Sequence, residues 1–118
     1  MKEQLQLTLD NEFYGSVEVV SEELLPEMTS LPEQYIVYTV IGRYPMNYSD
    51  NRPRCMVERA EVACYAKNIC AKESLRERAV KALWADGIVV DGAGYDIALG
   101  KDSKYYGCAI DCSRTVTL

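Results

Sequence analysis

The sequence contains no histidine, so the side chain most often used as a general base near neutral pH is missing. Catalysis by serine–histidine or cysteine–histidine pairs is therefore excluded, as are zinc sites with histidine ligands. Carboxylates remain as acid–base candidates, but they lie in segments typical of solvated faces or turns: Glu22, Glu23, Glu58, Glu61, Asp86, Asp91 and Asp96. We therefore expect a protein that is not an enzyme, with no catalytic residues, no cofactor site and no metal site.

The chain also lacks an apolar run near the roughly 20 residues that a membrane span requires, and its start has no apolar segment typical of a signal peptide. An excess of positive charge is missing as well, because the formal net charge is −5 and the 13 lysines and arginines are scattered. Phosphate binding needs clustered cations. We expect a cytosolic protein with no membrane partner and no specific nucleic-acid binding.

Cysteine occurs five times, an odd number, at spacings that match no zinc-binding pattern. Cys64, Cys108 and Cys112 fall on apolar strand positions, where a free thiol behaves as a small hydrophobic group. We expect all five thiols to be reduced.

The length of 118 residues is enough for one hydrophobic core and too short for a second module. We predict a single domain over residues 1–118, organised around two strands at residues 35–44 and 55–67. The first run is β-branched and aromatic, as strands favour. In the second, apolar and charged residues alternate, which predicts one buried face and one solvated face.

The segment between these strands is predicted to be a long hairpin loop at about 45–54, against the roughly 2–5 residues of most hairpin loops. Its prolines remove backbone donors, and its Asn, Asp and Ser residues favour local turns. It also carries Tyr and Arg, which are enriched at the energetic centres of interfaces. The predicted interface residues are Met46, Tyr48, Asp50, Arg52 and Arg54. The alternative is a solvated excursion without a role.

Two helices are predicted, over about residues 2–12 and 69–85. The first region could also form a strand, because Leu5, Leu7 and Leu9 alternate, but no β-branched run supports one. For the second helix, Asn68 is a plausible N-cap and Gly87 a plausible stop. Its expected buried stripe contains Leu75, Ala79, Val80, Leu83 and Trp84, with Lys72 among the residues on the solvated side.

The remaining segments supply strands and connections. A short edge strand is expected near residues 17–20, followed by a connector over residues 22–33. Strand character at 88–90 and 95–99 is interrupted by a glycine-containing turn or bulge, and residues 105–118 form a closing strand. The predicted fold is α+β, with a mainly antiparallel sheet of about 4–5 strands and two helices covering one face.

This pattern resembles the tail-terminator or tail-completion (head–tail joining) proteins of long-tailed bacteriophages and prophages. The resemblance covers most of the chain. It rests on the opening helix, the strand over residues 31–38, the Asp50-Asn51 loop, and residues 62–67 leading into the second helix. Residues 87–96, followed by 105–111, are its most distinctive part.

The resemblance implies a non-enzymatic structural protein that oligomerises as a ring, commonly a hexamer, at the head-proximal end of the tail tube. Its partners would be tail-tube and head-connector proteins. It would be present in the bacterial host cytoplasm during assembly and in the virion tail afterwards. Two alternatives stay open: a phage neck or minor capsid component, and a small cytosolic ligand-binding or regulatory α+β domain.

Overall fold

The computed structural model describes residues 1–22, 32–100 and 103–118. The elements in chain order are α1 (Lys2–Phe13), β1 (Glu18–Ser21), β2 (Gln34–Ser49), β3 (Arg52–Ala66), α2 (Ile69–Ala85), β4 (Val89–Ile97) and β5 (Tyr106–Thr117). The predicted α+β class and both helices are confirmed. The predicted connector over residues 22–33 lies mostly outside the described residues.

The five strands form one sheet in the order β1-β2-β3-β5-β4. β1 is parallel to β2, and the other neighbouring pairs are antiparallel. The sheet is therefore mainly antiparallel, as predicted, and β1 is an edge strand. Both helices pack on the same face of this sheet.

The core lies between the helices and that face of the sheet. Alternation along each strand sends every second side chain to the helical side, which explains why residues of one parity on β2, β3 and β5 are buried together. The buried cluster comprises Leu5, Leu9 and Phe13 of α1, Leu75, Ala79 and Leu83 of α2, and Ile36, Tyr38, Ala60, Val62, Cys64, Ala66, Ile88, Cys108, Ile110 and Cys112.

Both ends of α2 are fixed by hydrogen bonds at the residues predicted to begin and end the helix, Asn68 and Gly87. The Asn68 side chain accepts a bond of 2.7 Å from the Ala71 amide, which caps the first turn. At the other end, Gly87 has φ +78°, its amide donates to Trp84 O, and the Ile88 amide donates to Leu83 O. This is a Schellman ending, in which a left-handed residue lets two terminal carbonyls be satisfied.

Two side chains of α2 are placed differently from the prediction. Trp84 is 61% exposed, whereas Lys72 is buried. Lys72, Leu75, Ala79 and Leu83 follow one helical stripe, and Trp84 lies one residue beyond it. The Lys72 ammonium is compensated by Asp96 at 2.8 Å and Glu73 at 3.4 Å, and the hydrogen bond to Asp96 raises the pKa of Lys72.

The face of the sheet away from the helices, here called the outer face, is not wholly solvated, contrary to the alternation argument. Tyr35, Val37, Ala63 and Ala109 on this face are buried. The Tyr35 ring stacks on a neighbouring strand's tyrosine and meets the edge of a third tyrosine ring. Aromatic side chains therefore pack against one another across this face.

The interruption in β4 is a bulge. Asp91 pairs with Asp111 and Tyr95 with Ala109, so three residues of β4 stand opposite one residue of β5. Gly94 has φ +86°, and a Cβ there would lie 2.7 Å from the Ala109 carbonyl oxygen. Only glycine allows the backbones to approach this closely.

The predicted long hairpin loop at about 45–54 is wrong. β2 and β3 stay paired as far as Ser49 and Arg52, and the turn between them contains only Asp50 and Asn51. Both turn residues have positive φ, 53° and 60°, as the common two-residue hairpin turn requires. The paired strands extend the molecule to 54 Å along one axis, against 26 Å along the other two.

The two prolines are compatible with this ladder because of where they lie. β1 pairs with β2 between Tyr35 and Tyr38, so none of the described strands pairs with that side of β2 at Pro45. The pairing of β5 with β3 ends at Cys55, so β5 does not extend alongside Pro53. Proline is tolerated in a strand where its missing N–H would have faced an open edge.

Candidate functional site: the projecting arm and its surroundings

The part of the hairpin that extends past the helices is called here the arm, residues 43–59, and its tip is residues 46–54. All five predicted interface residues lie in the tip. Met46 is 42% exposed and Tyr48 is 62% exposed. Asp50, Arg52 and Arg54 are also exposed, and Arg54 approaches Asp50 at 4.0 Å, a solvated contact of little energetic value. The structure thus brings these residues together, on a paired hairpin instead of a loop.

An apolar row runs along the arm, and sequence reasoning found only part of it. Tyr44 pairs with Val57, Met46 with Cys55, and Tyr48 with Pro53. Val57 and Cys55 are buried, while Tyr44 is 42% exposed. The alternation of Tyr44, Met46 and Tyr48 at every second position was the signal for the row, and it was missed because the segment was assigned to a loop.

Glu58 forms the junction between arm and helical layer. Its buried carboxylate is 2.8 Å from both the Nε and an Nη of Arg114, 3.3 Å from the Met1 amino group and 3.6 Å from Arg43. Arg114 also bonds the Gln4 side chain on α1. Burial alone raises the pKa of Glu58, but the hydrogen bonds from Arg114 and the Met1 amine outweigh burial and leave this pKa below its ordinary value.

The junction links elements far apart in sequence. A carboxylate of β3, a guanidinium of β5 and the start of α1 meet there, so it fixes the base of the arm against the body. The sequence hinted at this only through Arg114, which interrupts an otherwise apolar strand face. Its partner could not be identified without the β3–β5 register, in which Glu58 and Arg114 are directly opposite.

A second charged feature lies on the outer face. Glu61 of β3 stands opposite Asp111 of β5, which in turn stands opposite Asp91 of β4. We call these three carboxylates the acidic row. The Tyr95 hydroxyl donates to Glu61 at 2.9 Å, and this bond raises the pKa of Tyr95. Like charges directly opposite one another in a sheet are unfavourable, so the row lowers the stability of the isolated chain.

Three of the five thiols are buried in the core. Cys64 and Cys108 are directly opposite each other on β3 and β5 and are buried in the core. The adjoining Cys108 thiol and burial raise the pKa of Cys64 well above its usual range. Burial likewise raises the pKa of Cys112 to about 12. Such thiols stay protonated and pack as small apolar groups.

Two further observations concern other kinds of site. Across residues 1–22, 32–100 and 103–118, no group of three or more Cys, Asp or Glu side chains is placed to hold a metal ion. In the same part of the chain, neither helix is long and apolar enough to cross a membrane.

Comparison with known proteins adds no family. No protein-family model matches this chain, and no curated protein matches it either. The arm, its junction and the acidic row are therefore the features from which a function has to be inferred.

Proposed function

We propose that this chain is a non-enzymatic phage or prophage structural protein, a tail-terminator or tail-completion subunit that forms a ring at the head-proximal end of the tail tube. The observation that carries the proposal is the arm. It carries an exposed apolar row and two exposed arginines beyond the helical layer. The rest of the chain forms a buried core of its own, to which these residues do not belong. The sequence resemblance supplies the biological setting.

The composition of the arm fits a surface that is covered on assembly. Exposed Tyr, Met and Arg gain large contact areas and directional bonds when a partner buries them. A hairpin also loses little further entropy on docking, because its backbone is already paired. These features are what a ring subunit would use to contact a neighbour, or a tail-tube or head-connector protein.

The first test is the mass of the purified protein in solution. We expect a ring whose population rises with concentration, measured by sedimentation velocity and native mass spectrometry. A protein that stays monomeric at every concentration would contradict the proposal and favour a ligand-binding or regulatory domain.

The second test removes the arm tip and keeps the fold. Replacing residues 46–55 by Asn-Gly would close the hairpin at the Pro45–Met56 pair with a two-residue turn. We expect circular dichroism and thermal unfolding to show an intact body, while ring formation or binding to tail tubes is lost. Normal assembly of this shortened chain would contradict a role for the tip.

The third test separates a terminator from a neck or minor capsid component. Purified rings are mixed with tail tubes and, separately, with tailless heads of a phage whose genome carries the gene. Capping of the tube ends that stops tube growth is expected of a terminator. Binding to heads without any effect on tubes would instead identify a neck component.

A further inference from the structure

We propose that the arm tip of one copy docks on the outer face of a second copy, over the acidic row. This inference rests on the self-association in the proposed function and deepens it by naming the two surfaces that meet. It does not depend on the phage setting.

Charge is divided unevenly between the arm and the rest of the chain. Residues 43–59 contain four arginines and two acidic residues, a net +2, whereas the whole chain carries −5, which leaves −7 elsewhere. One of the two arm carboxylates, Glu58, is already paired with Arg114 at the junction. The tip itself contains Arg52, Arg54 and Asp50, a net +1, so the exposed end of the arm is a cationic element on an anionic protein.

The acidic row offers the matching surface. Val89 and Tyr95 flank it on β4 and are 57% and 51% exposed. Strand alternation and the pairing of Val89 with Ser113 and Tyr95 with Ala109 put both side chains on the outer face with Asp91 and Asp111. This surface combines apolar groups with carboxylates. On the arm tip, the pairing of Met46 with Cys55 and of Tyr48 with Pro53 puts these side chains on one face of the hairpin and Arg52 and Arg54 on the other. In the proposed contact the face with the arginines meets the carboxylates. Arg59 lies next to the acidic row, at the base of the arm. Because the row has three carboxylates, the net charge of this surface is still negative.

The tip cannot reach the acidic row of its own chain. Arg54 and Arg52 lie seven and nine residues from Glu61 along the continuous strand β3, which corresponds to roughly 23 and 30 Å. Folding back would require breaking the β2–β3 ladder. A contact between the tip and an acidic row therefore joins two copies of the chain.

Docking by faces is also favoured over pairing of strand edges. Among the described strands, the outer edge of β4 is interrupted by its bulge, and the edge of β2 beyond β1 carries Pro45 and a register shift between Val40 and Gly42. Such features prevent edge-to-edge pairing. Since the tip and the acidic row are different surfaces, the contact is head-to-tail, and repeated contacts close into a ring when the rotation between copies permits.

The experiment uses two charge-reversed full-length proteins. One carries Arg52→Glu and Arg54→Glu, and the other carries Asp91→Lys and Asp111→Lys. Each should associate roughly tenfold or more weakly than the unaltered protein, because close charge pairs become repulsive. An equimolar mixture should restore association, since each reversed surface then meets an opposite charge, with the two proteins alternating. Sedimentation velocity measures the first effect, and native mass spectrometry measures the 1:1 composition of the restored species.

Controls keep the outcomes distinct. Glu3→Lys with Glu77→Lys changes the net charge by the same +4 as the Asp91→Lys and Asp111→Lys protein, but on the helical layer, and should leave association unchanged. Circular dichroism checks that every variant is folded. If the unaltered protein forms rings and the reversed proteins do so equally well, or if mixing restores nothing, this docking arrangement is wrong while the ring survives. If the unaltered protein never associates, both the ring and the docking are wrong.

Discussion

The body and the arm are made from the same two strands, yet they obey different constraints. In the body, β2 and β3 lie under two helices, and core side chains such as Ile36, Val62 and Cys64 are fully buried. In the arm, the strands continue without that cover, and Tyr44, Met46 and Tyr48 remain 42–62% exposed. Both regions are paired as one antiparallel ladder. What differs is whether another layer removes the side chains from water.

This difference teaches that apolar residues in one continuous strand can serve two purposes. In the body they provide the free energy of folding, at roughly 25 cal/mol for each Å² removed from water. In the arm they gain that free energy only when a partner covers them. The junction at Glu58 marks the boundary, because there Arg114 of β5 bonds both Glu58 of β3 and Gln4 of α1.

The largest difference in the free energy of unfolding is expected between two variants of α2. Leu83 is fully buried, so Leu83→Ala should lower the free energy of unfolding by about 2–5 kcal/mol through lost packing and the cavity left behind. Urea unfolding followed by circular dichroism measures this change. Trp84→Ala is the matched control: the indole is 61% exposed, and its removal should cost less than about 1 kcal/mol. Equal losses for the two variants would contradict the packing of α2.

A smaller difference in stability is expected between a variant at the junction and an exposed control. Glu58→Gln should lower stability by about 1–2 kcal/mol at neutral pH, because it removes a charged acceptor from Arg114. The exposed Glu77→Gln should have almost no effect. Urea unfolding at neutral pH compares the two variants.

The same carboxylate gives a pH dependence. Since the folded-state pKa of Glu58 lies below its ordinary value of 4.5, its contribution is complete above that pH and is lost as the pH falls through the folded-state pKa. Acid titration of stability should therefore be less steep for Glu58→Gln. An unchanged slope would show that the junction charge does not contribute.

A smaller effect on stability, with a large effect on assembly, is expected in the arm. Tyr48→Ala should change the free energy of unfolding by no more than about 0.5 kcal/mol, because the ring is 62% exposed. The same variant should weaken self-association measured by sedimentation velocity. Tyr14→Ala, which removes a tyrosine that is 91% exposed outside the arm, should change neither quantity. If Tyr48→Ala lowered stability without weakening association, Tyr48 would contribute to folding and not to assembly, and the prediction would be wrong.

The smallest perturbation is chemical labelling of the thiols, which leaves the fold unchanged. In the native protein Cys70, which is exposed, should react first, and Cys55 in the arm should follow as the tip opens. Cys64, Cys108 and Cys112 should react only on unfolding, because they are buried in the body. Titration after unfolding without a reductant should count five thiols. A count of three would show a disulfide, and rapid labelling of Cys64 would show that the core opens readily.

Local signals in the sequence were sufficient for most elements. Periodicity and capping residues located α1 and α2, the Asn68 cap and the Gly87 ending, because these depend on neighbours within a few positions. The glycine-containing interruption before Tyr95 likewise indicated the bulge. The arm was missed because proline, asparagine and aspartate are typical of loops. Here they occupy a two-residue turn and open strand edges, where the same residues are compatible with pairing.

The five predicted interface residues were located by composition, and the structure groups them at one tip. Tyr44, the acidic row and the junction partners of Glu58 were not predicted as parts of a site. Each depends on a cross-strand register between β2, β3, β4 and β5, and a shift of one residue would move every side chain to the opposite face. Single-strand alternation therefore could not reveal which carboxylates stand opposite one another.

By itself the sequence determined the α+β class, the two helices and the apolar residues that must leave water, since these follow from short-range periodicity and side-chain chemistry. Only the tertiary structure decided that Lys72 is buried while Trp84 is exposed, and that Glu58 meets Arg114. It also decided that β2 and β3 continue past the helices as a paired arm. These outcomes depend on the register of distant strands and on where the helical layer ends, which are properties of the packed chain and not of any one segment.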